Sequence, residues 1–255
     1  MEIHHSGDHT RRRSLKSFAF EFLMISIAVF VGSLGEYFLD HRIIDERLQN
    51  GLVSMRDDLE TDLRNLDRII AQSDKGIDFL VRTRQAAVDY QTGKLSGTEY
   101  LRRIVEDLPN VYVYHTFFMD RTSFVNLSSA GLLNVEDSAD LRSAISEYYE
   151  VYGKRLNDNN ALLDREAINY YEQTFPLQSA FESGRFGVQN GPSMQETVDV
   201  YLRLSSVREK LLSGDLIPAT DRLILRVADY KEILLDMRRL NREAARLLQE
   251  QSVTS

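Results

Sequence analysis

The sequence predicts an all-α fold in which one N-terminal transmembrane helix continues into an antiparallel helical bundle. Three observations carry that prediction. Apolar residues recur at spacings of three and four along most of the chain. One long apolar run lies near the N-terminus, between residues 18 and 39. Helix breakers are scarce, with four prolines and thirteen glycines in 255 residues, and strand-like alternation is confined to the short stretch 111–115.

Composition sets further bounds. Hydrophobic residues at 43% and charged residues at 27% are ordinary globular values, which excludes wholesale disorder. A net charge of −8 argues against nucleic acid as a partner, because phosphate binding needs a basic surface to displace counterions. Cysteine is absent, so disulfide frameworks and thiolate metal sites are excluded.

The run from Phe18 to Leu39 contains only two charges, Glu21 and Glu36, each near an end. As a helix it covers roughly 33 Å, enough to cross a hydrocarbon core. Charges near the ends of a span can reach the interface or stay protonated at modest cost. Arg11, Arg12, Arg13 and Lys16 precede the run, whereas acids outnumber bases just after it. By the positive-inside rule, the N-terminus stays in the cytoplasm and everything after residue 39 lies outside. The expected location is therefore a bacterial inner membrane, with the bilayer itself as the first partner.

A second reading competes. Thr10-Arg-Arg-Arg-Ser-Leu-Lys16 is similar to a twin-arginine export signal, and Gly32-Ser-Leu-Gly35 offers a small-residue cleavage site. Helical periodicity runs on through Ile44, Leu48, Leu52, Met55, Leu59, Leu63, Leu66 and Ile70, and a mature protein rarely begins inside a helix. That favours an anchor.

On a helical wheel Ile25, Ala28, Gly32, Gly35 and Glu36 fall within roughly 60° of Glu21. Small residues and both acids thus share one stripe, with Ala28 and Gly32 as a small-xxx-small pair. Such stripes permit close backbone approach, which is how helices associate in lipid. The stripe predicts a homo-oligomer; the bland alternative is incidental glycines with glutamates reaching for headgroups.

Beyond the span, the first helix is expected to run to about Ala71 and a second from Asp74 to Tyr90, broken by Thr92-Gly93. Ser96-Gly-Thr-Glu99 has capping-box form and opens a short helix ending before Pro109. Asp120 can cap the next helix, which Gly131 closes. Asp137 is expected to open a long helix with Leu141, Ile145, Tyr148, Tyr152, Leu156 and Leu163 on one face, stopped by Phe175-Pro176. Residues 176–192 read as a loop, and Ser193-Met-Gln-Glu196 as a second capping box before a helix through Leu212.

Gly214 and Pro218 punctuate, and Thr220 is expected to cap the last helix. Its stripe Leu223, Val227, Tyr230, Leu234, Met237, Asn241, Ala244, Leu248 has heptad spacing, with Asn241 at a core position where Asn often fixes register. Ile233, Leu240 and Leu247 widen this face, which predicts packing inside a bundle. The expected organisation is a basic arm over 1–17, the membrane helix over 18–39, a helical stalk and bundle over 40–175, the loop, and a C-terminal helical pair over 193–255.

Tyr114-His-Thr-Phe-Phe-Met-Asp-Arg-Thr-Ser-Phe-Val-Asn-Leu-Ser-Ser-Ala-Gly-Leu-Leu133, followed by Leu141-Arg142 and Tyr148-Tyr149, resembles a widespread bacterial family of uncharacterised single-pass membrane proteins. The N-terminal half is similar as well: a basic arm, Glu21 heading the membrane helix, then Asp57-Asp58-Leu59 and Asp62-Leu63 on a charged helix. The family's Asn/Asp-Asn-Trp signature is replaced here by Glu36-Tyr-Phe-Leu-Asp40. The resemblance covers roughly residues 11–155. It implies an extracytoplasmic helical domain on an anchor, and no established activity.

Arg121, Thr122, Asn126, Ser128 and Ser129, with Gly131, form the densest polar group in an apolar helix. They read either as a partner surface or, as buried polar groups usually do, as structural elements. In the structural reading Ser128, Ser129, Ala130 and Gly131 allow close packing and Arg121 sits in a salt bridge. Tyr148-Tyr149 and Tyr170-Tyr171 could line a pocket, but one ring of each pair is expected in the core and the other on the surface. His4, His5 and His9 lack supporting carboxylates for a metal site, and His115 has no serine or acid spaced for nucleophilic work. Gly184, Gly187 and Gly191 follow no strand and lack the lysine of a phosphate loop.

No catalytic, cofactor-binding or metal motif is therefore expected, and the chain reads as no enzyme. The first expectation is a membrane-anchored interaction or scaffold protein that self-associates and docks a protein partner. The others are an extracytoplasmic ligand sensor acting through a partner, and an exported soluble protein. A pore lined by Glu21 and Glu36 does not follow from acids on one helix face alone.

Overall fold

A computed structural model describes residues 15–107, 115–134, 138–174, 203 and 205–254. The expected capping box at Ser193, the loop 176–192, the stretch 111–114 and the histidines of the arm lie outside them. The fold is all-α, with no strand among the described residues. In chain order the elements are α1 (Leu15–Gln91), α2 (Gly97–Asp107), α3 (Thr122–Ser129), a 3-10 turn (Leu132–Asn134), α4 (Ala139–Ser146), a π-helical turn (Glu147–Tyr152), α5 (Gly153–Thr174), α6 (Ser205–Leu212) and α7 (Leu216–Thr254).

The chain divides into two units, Met1–Gly51 and Leu52–Ser255. The first contains the apolar part of α1, where every side chain from Phe18 to Leu39 is exposed. Its most apolar window has a mean hydropathy of 2.0 and is 0% buried, so this one helix is long and apolar enough to cross a membrane. At the far end of the run Tyr37 meets Phe38 and His41 edge-on, with ring centroids 6.0 and 4.4 Å apart.

The second unit contains the core. Along α1 a buried stripe runs Leu52, Met55, Leu59, Asp62, Leu66, Ile69 and Ser73, alternating three and four, and burial continues through Phe79, Leu80, Thr83 and Ala87. Along α7 the whole predicted stripe from Leu223 to Leu248 is buried, as are Ile233 and Leu240. The pairs between the two helices step down α1 as they step up α7. Arg84 meets Asp221, Lys231 meets Asp74, Arg238 meets Asp67 at 3.2 Å, and Asn241 meets Leu59. The two helices are therefore antiparallel. Against α5 and the π-helical turn that leads into it, α7 pairs Arg222 with Glu166, Tyr230 with Asn160 and Asp236 with Tyr152, again antiparallel.

Several boundaries differ from expectation. α1 does not stop near Ala71, because Ala71-Gln72-Ser73-Asp74 contains no breaker and Ser73 Oγ donates back to the Ile69 carbonyl at 3.0 Å. The break comes at Gly93, whose φ of +74° only glycine adopts readily. α2 is capped as predicted by Ser96, whose Oγ accepts from the Glu99 N–H at 3.2 Å. The Glu99 carboxylate turns to Arg102 and Arg103, and those contacts hold it below its usual range. The cap of α4 is Ser138, which accepts from the Leu141 N–H at 3.2 Å, while Asp137 lies outside the described residues. Thr220 does not cap the last helix. α7 already starts at Leu216, with Pro218 in its first turn where a missing N–H costs nothing, and Thr220 is buried with its hydroxyl on the Leu216 carbonyl.

Candidate functional site: a buried carboxylate network around Asp62

The heptad spacing of α1 turns Asp62 inward, on the same face as Leu59 and Leu66, and leaves it 1% exposed. A carboxylate in that position must be satisfied by donors from the elements packed against it. Oδ1 accepts the Asp120 N–H at 3.1 Å, and Oδ2 accepts the Tyr148 hydroxyl at 2.9 Å. Tyr148 Oη accepts in turn from Asn241 Nδ2 at 3.3 Å, and the same amide nitrogen donates to the Leu59 carbonyl at 2.9 Å. Three separate stretches of chain are thereby tied to one acid on α1.

One turn earlier, Asp58 Oδ2 accepts the Ser123 N–H at 3.1 Å, while the Asp120 carboxylate accepts the Thr122 N–H at 3.0 Å. The first N–H groups of a helix have no partner inside it and favour anions. The N-cap position of α3 falls on Arg121, which makes no side-chain cap bond, and not on Asp120 as expected; Asp120, one residue earlier, meets the first helical N–H, and Asp58 of α1 meets the second from across the core. The bond from Thr122 holds the Asp120 carboxyl below its usual range.

A second cluster fixes the same non-helical stretch. Phe117 N–H donates to Tyr230 Oη at 2.7 Å, the Tyr230 hydroxyl donates to Asn160 Oδ1 at 2.7 Å, and Asn160 Nδ2 donates to the Phe117 carbonyl at 2.9 Å. This closed ring satisfies both backbone groups of a buried residue that has no helix to do so.

Electrostatics set Asp62 apart. Burial pushes its carboxyl up to about 6; the charges of Asp120 and Asp58 add to that, and the bonds from the Asp120 N–H and Tyr148 oppose it. Among the described residues no cation contributes to this balance. Burial also drives the hydroxyls of Tyr148 and Tyr149 upward, with Asp62 adding to both. Tyr149 stacks on Phe124 with centroids 4.8 Å apart and planes at 8°, while its buried hydroxyl finds no partner. The buried Asn241 Oδ1 is equally unpartnered. Among the described residues no group of His, Cys, Asp or Glu side chains is placed to hold a metal ion. What the arrangement can do chemically is hold a proton at Asp62.

The residues singled out from the sequence fall elsewhere. Arg121, Thr122, Asn126, Ser128 and Ser129 are exposed and Gly131 is half-buried, while Ser123, Phe124 and Leu127 are the buried face of α3. Ser128, Ser129 and Ala130 therefore do not serve close packing, contrary to the structural reading, because they lie on the outer side of a helix of two turns. Arg121 makes no ion pair among the described residues; its guanidinium lies over the Phe124 ring, 5.7 Å from the centroid. Gly131 closes α3 as expected, through a φ of +71°. Tyr148 and Tyr149 do not divide between core and surface. The π-helical turn adds a residue to the helical repeat, and both rings are buried. Tyr170 is buried too, and the side chain of Tyr171 lies outside the described residues. Gly32 and Gly35 have open space where a Cβ would stand, and Glu21, Ala28 and Glu36 are exposed around them.

Sequence reasoning missed Asp62, Asp58, Asn160 and the partners of Tyr230. A signal for Asp62 was present, since the strict alternation Leu48, Leu52, Met55, Leu59 continues to position 62 and then Leu66. Reading Leu63 in its place kept the stripe apolar and concealed the acid; Leu63 is only half-buried. The stretch 115–131, the Tyr148-Tyr149 pair and the Asp58/Asp62 pair converge on this one network. No protein-family model matches the chain, and neither a curated protein nor a solved structure shows significant similarity to it.

Proposed function

We propose that the chain is a membrane-anchored helical interaction protein of a bacterial inner membrane. Residues 18–39 form its single span, the basic arm stays in the cytoplasm, and the helical domain stands outside. It acts by docking and self-association and not by catalysis. The observation that carries this reading is the complete exposure of an apolar helical run, 0% buried at a mean hydropathy of 2.0. Apolar side chains on every side of a helix need cover, and lipid supplies it at the length observed. Tyr37, Phe38 and His41 at one end, and Arg11, Arg12, Arg13 and Lys16 before the other, match the aromatic and basic flanks of a span.

Self-association is assigned to the stripe Glu21, Ala28, Gly32, Gly35 and Glu36. The open space at Gly32 and Gly35 leaves room for a second backbone. Native mass of the full-length protein in mild detergent tests this. A discrete oligomer that falls to a monomer in Gly32→Leu supports the stripe. A monomeric wild type, or an oligomer indifferent to the substitution, removes it and moves the search for partners to the helical domain, where the exposed face of Arg121, Thr122, Asn126 and Ser129 is the first surface to test.

A further inference from the structure

The buried chain of hydrogen bonds at Asp62 has a direction. Asn241 Nδ2 donates to Tyr148 Oη, and the Tyr148 hydroxyl donates to Asp62 Oδ2. The orientation of the Asn241 amide is fixed by its second bond, because the Leu59 carbonyl at 2.9 Å can only accept. That orientation leaves Asn241 Oδ1 buried with no donor. The chain thus ends on an anion at one side, and one acceptor in the cluster stands empty. An added proton therefore has somewhere to go.

We propose that this chain is a two-state proton switch in which protonation of Asp62 reverses the direction of every bond and turns over the Asn241 amide. In the charged state the order is Asn241 to Tyr148 to Asp62. When Asp62 takes a proton from solvent on Oδ2, that oxygen becomes a donor and Tyr148 Oη must accept from it. The Tyr148 hydrogen is then displaced and needs an acceptor. A half-turn of the Asn241 amide presents Oδ1 to it, and the order becomes Asp62 to Tyr148 to Asn241. No atom other than the added proton enters the cluster: that proton stays on Asp62 Oδ2, the Tyr148 hydrogen ends on Asn241 Oδ1, and the amide hydrogens leave the Leu59 carbonyl for the side where Oδ1 stood.

The consequence is a change in how α1 and α7 are joined. In the charged state Asn241 binds the Leu59 carbonyl of α1; in the neutral state Oδ1 stands where the nitrogen stood, so two oxygens face each other and the joint between α1 and α7 loosens there. The Asp120 N–H bond to Oδ1 persists in both states, so the contact between α1 and the stretch before α3 is the fixed one. The titratable groups facing Asp62 are Asp58 on α1, Asp120 before α3, and Tyr148 and Tyr149 in the π-helical turn, and α7 presents the neutral Asn241. No cation among them competes with the proton. Burial, which raises the Asp62 carboxyl to about 6, places the transition near pH 6.

The test uses the full-length chain in mild detergent, followed from about pH 4.5 to about pH 8, a range that brackets ordinary and raised carboxyls. Infrared spectroscopy reads the protonated carboxyl of Asp62, assigned by its loss in Asp62→Asn. Nuclear magnetic resonance reads the side-chain amide of Asn241. The proposal expects the Asn241 amide resonances to move with the same midpoint as the Asp62 carboxyl band. In Tyr148→Phe the carboxyl still titrates, whereas the Asn241 resonances stay flat, because the relay is cut. The proposal is overturned if the wild-type Asn241 resonances stay flat while Asp62 titrates, or if Asp62 shows no titration in this range. The wild-type measurement decides the matter even if a variant fails to fold.

Discussion

The hydroxyl of Tyr148 donates to the carboxylate of Asp62 across 2.9 Å, and 86 positions of sequence separate the two residues. The bond joins the π-helical turn to α1 in the interior of the helical domain. Among the described residues no cation pairs with Asp62, so this bond and the Asp120 N–H compensate for taking the acid out of water.

Tyr148→Phe removes that donor and leaves a buried carboxylate oxygen unsatisfied. Hydrogen bonds to charged groups are worth roughly 1.5–3 kcal/mol, and the variant should lose about 2 kcal/mol of stability. In a thermal melt of the full-length chain this lowers Tm by roughly 4–8 °C for a domain of this size. A melt unchanged from wild type would show that the bond contributes nothing net.

The pH dependence follows from the raised carboxyl. Asp62 goes from 3.8 to about 6 on folding, so the folded state binds its proton more tightly than the unfolded chain. The stabilising contribution is fully present below about pH 3.8 and is lost as pH rises through about 6. At pH 7.5 the charged acid costs the fold roughly 2–3 kcal/mol relative to its protonated form. Glu99, Asp120 and Glu243, whose carboxyls are lowered, act in the opposite direction, so the difference between variant and wild type is the informative quantity. The stability of Asp62→Asn relative to wild type should rise between about pH 4 and about pH 6 and level off above about pH 7. A difference that is flat over that interval contradicts the shift.

The ring of Phe117, Tyr230 and Asn160 predicts strong coupling. Asn160→Ala leaves the Phe117 carbonyl without its donor and the hydrogen of the Tyr230 hydroxyl without its acceptor, at a cost of roughly 2–4 kcal/mol. Tyr230→Phe strands the Phe117 N–H and Asn160 Oδ1 in the same way. Denaturant melts of both single variants and the double should show a combined loss smaller than the sum by about 1 kcal/mol or more. Additive losses would mean that the ring does not act as a unit.

The legible and illegible parts of this fold have different physical origins. The α7 stripe from Leu223 to Leu248 was readable because apolar side chains at heptad spacing have one good fate, burial against other helices. The apolar run 18–39 was readable for the same reason of period and length. The end of α1 was misplaced because polar residues such as Gln72 and Asp74 suit both a helix interior and a helix start, and only packing decides between them. The role of Asp62 was hidden because one sequence does not reveal that Tyr148, Asp120 and Asn241 gather around it. The burial of both Tyr148 and Tyr149 depends on a π-helical turn, for which a regular helical period gives no warning. Thr220 looked like a cap because its hydroxyl is suited to one, but that hydroxyl bonds the Leu216 carbonyl one turn back instead.

The proposed anchor at residues 18–39 is tested most directly by the intact mass of the chain recovered from alkaline carbonate-washed membranes of a bacterium expressing it. A full-length chain, residue 1 included, retained in the washed membrane is the result predicted. A chain released by the wash, or shortened by the residues up to about Gly35 as a small-residue cleavage site would require, contradicts it.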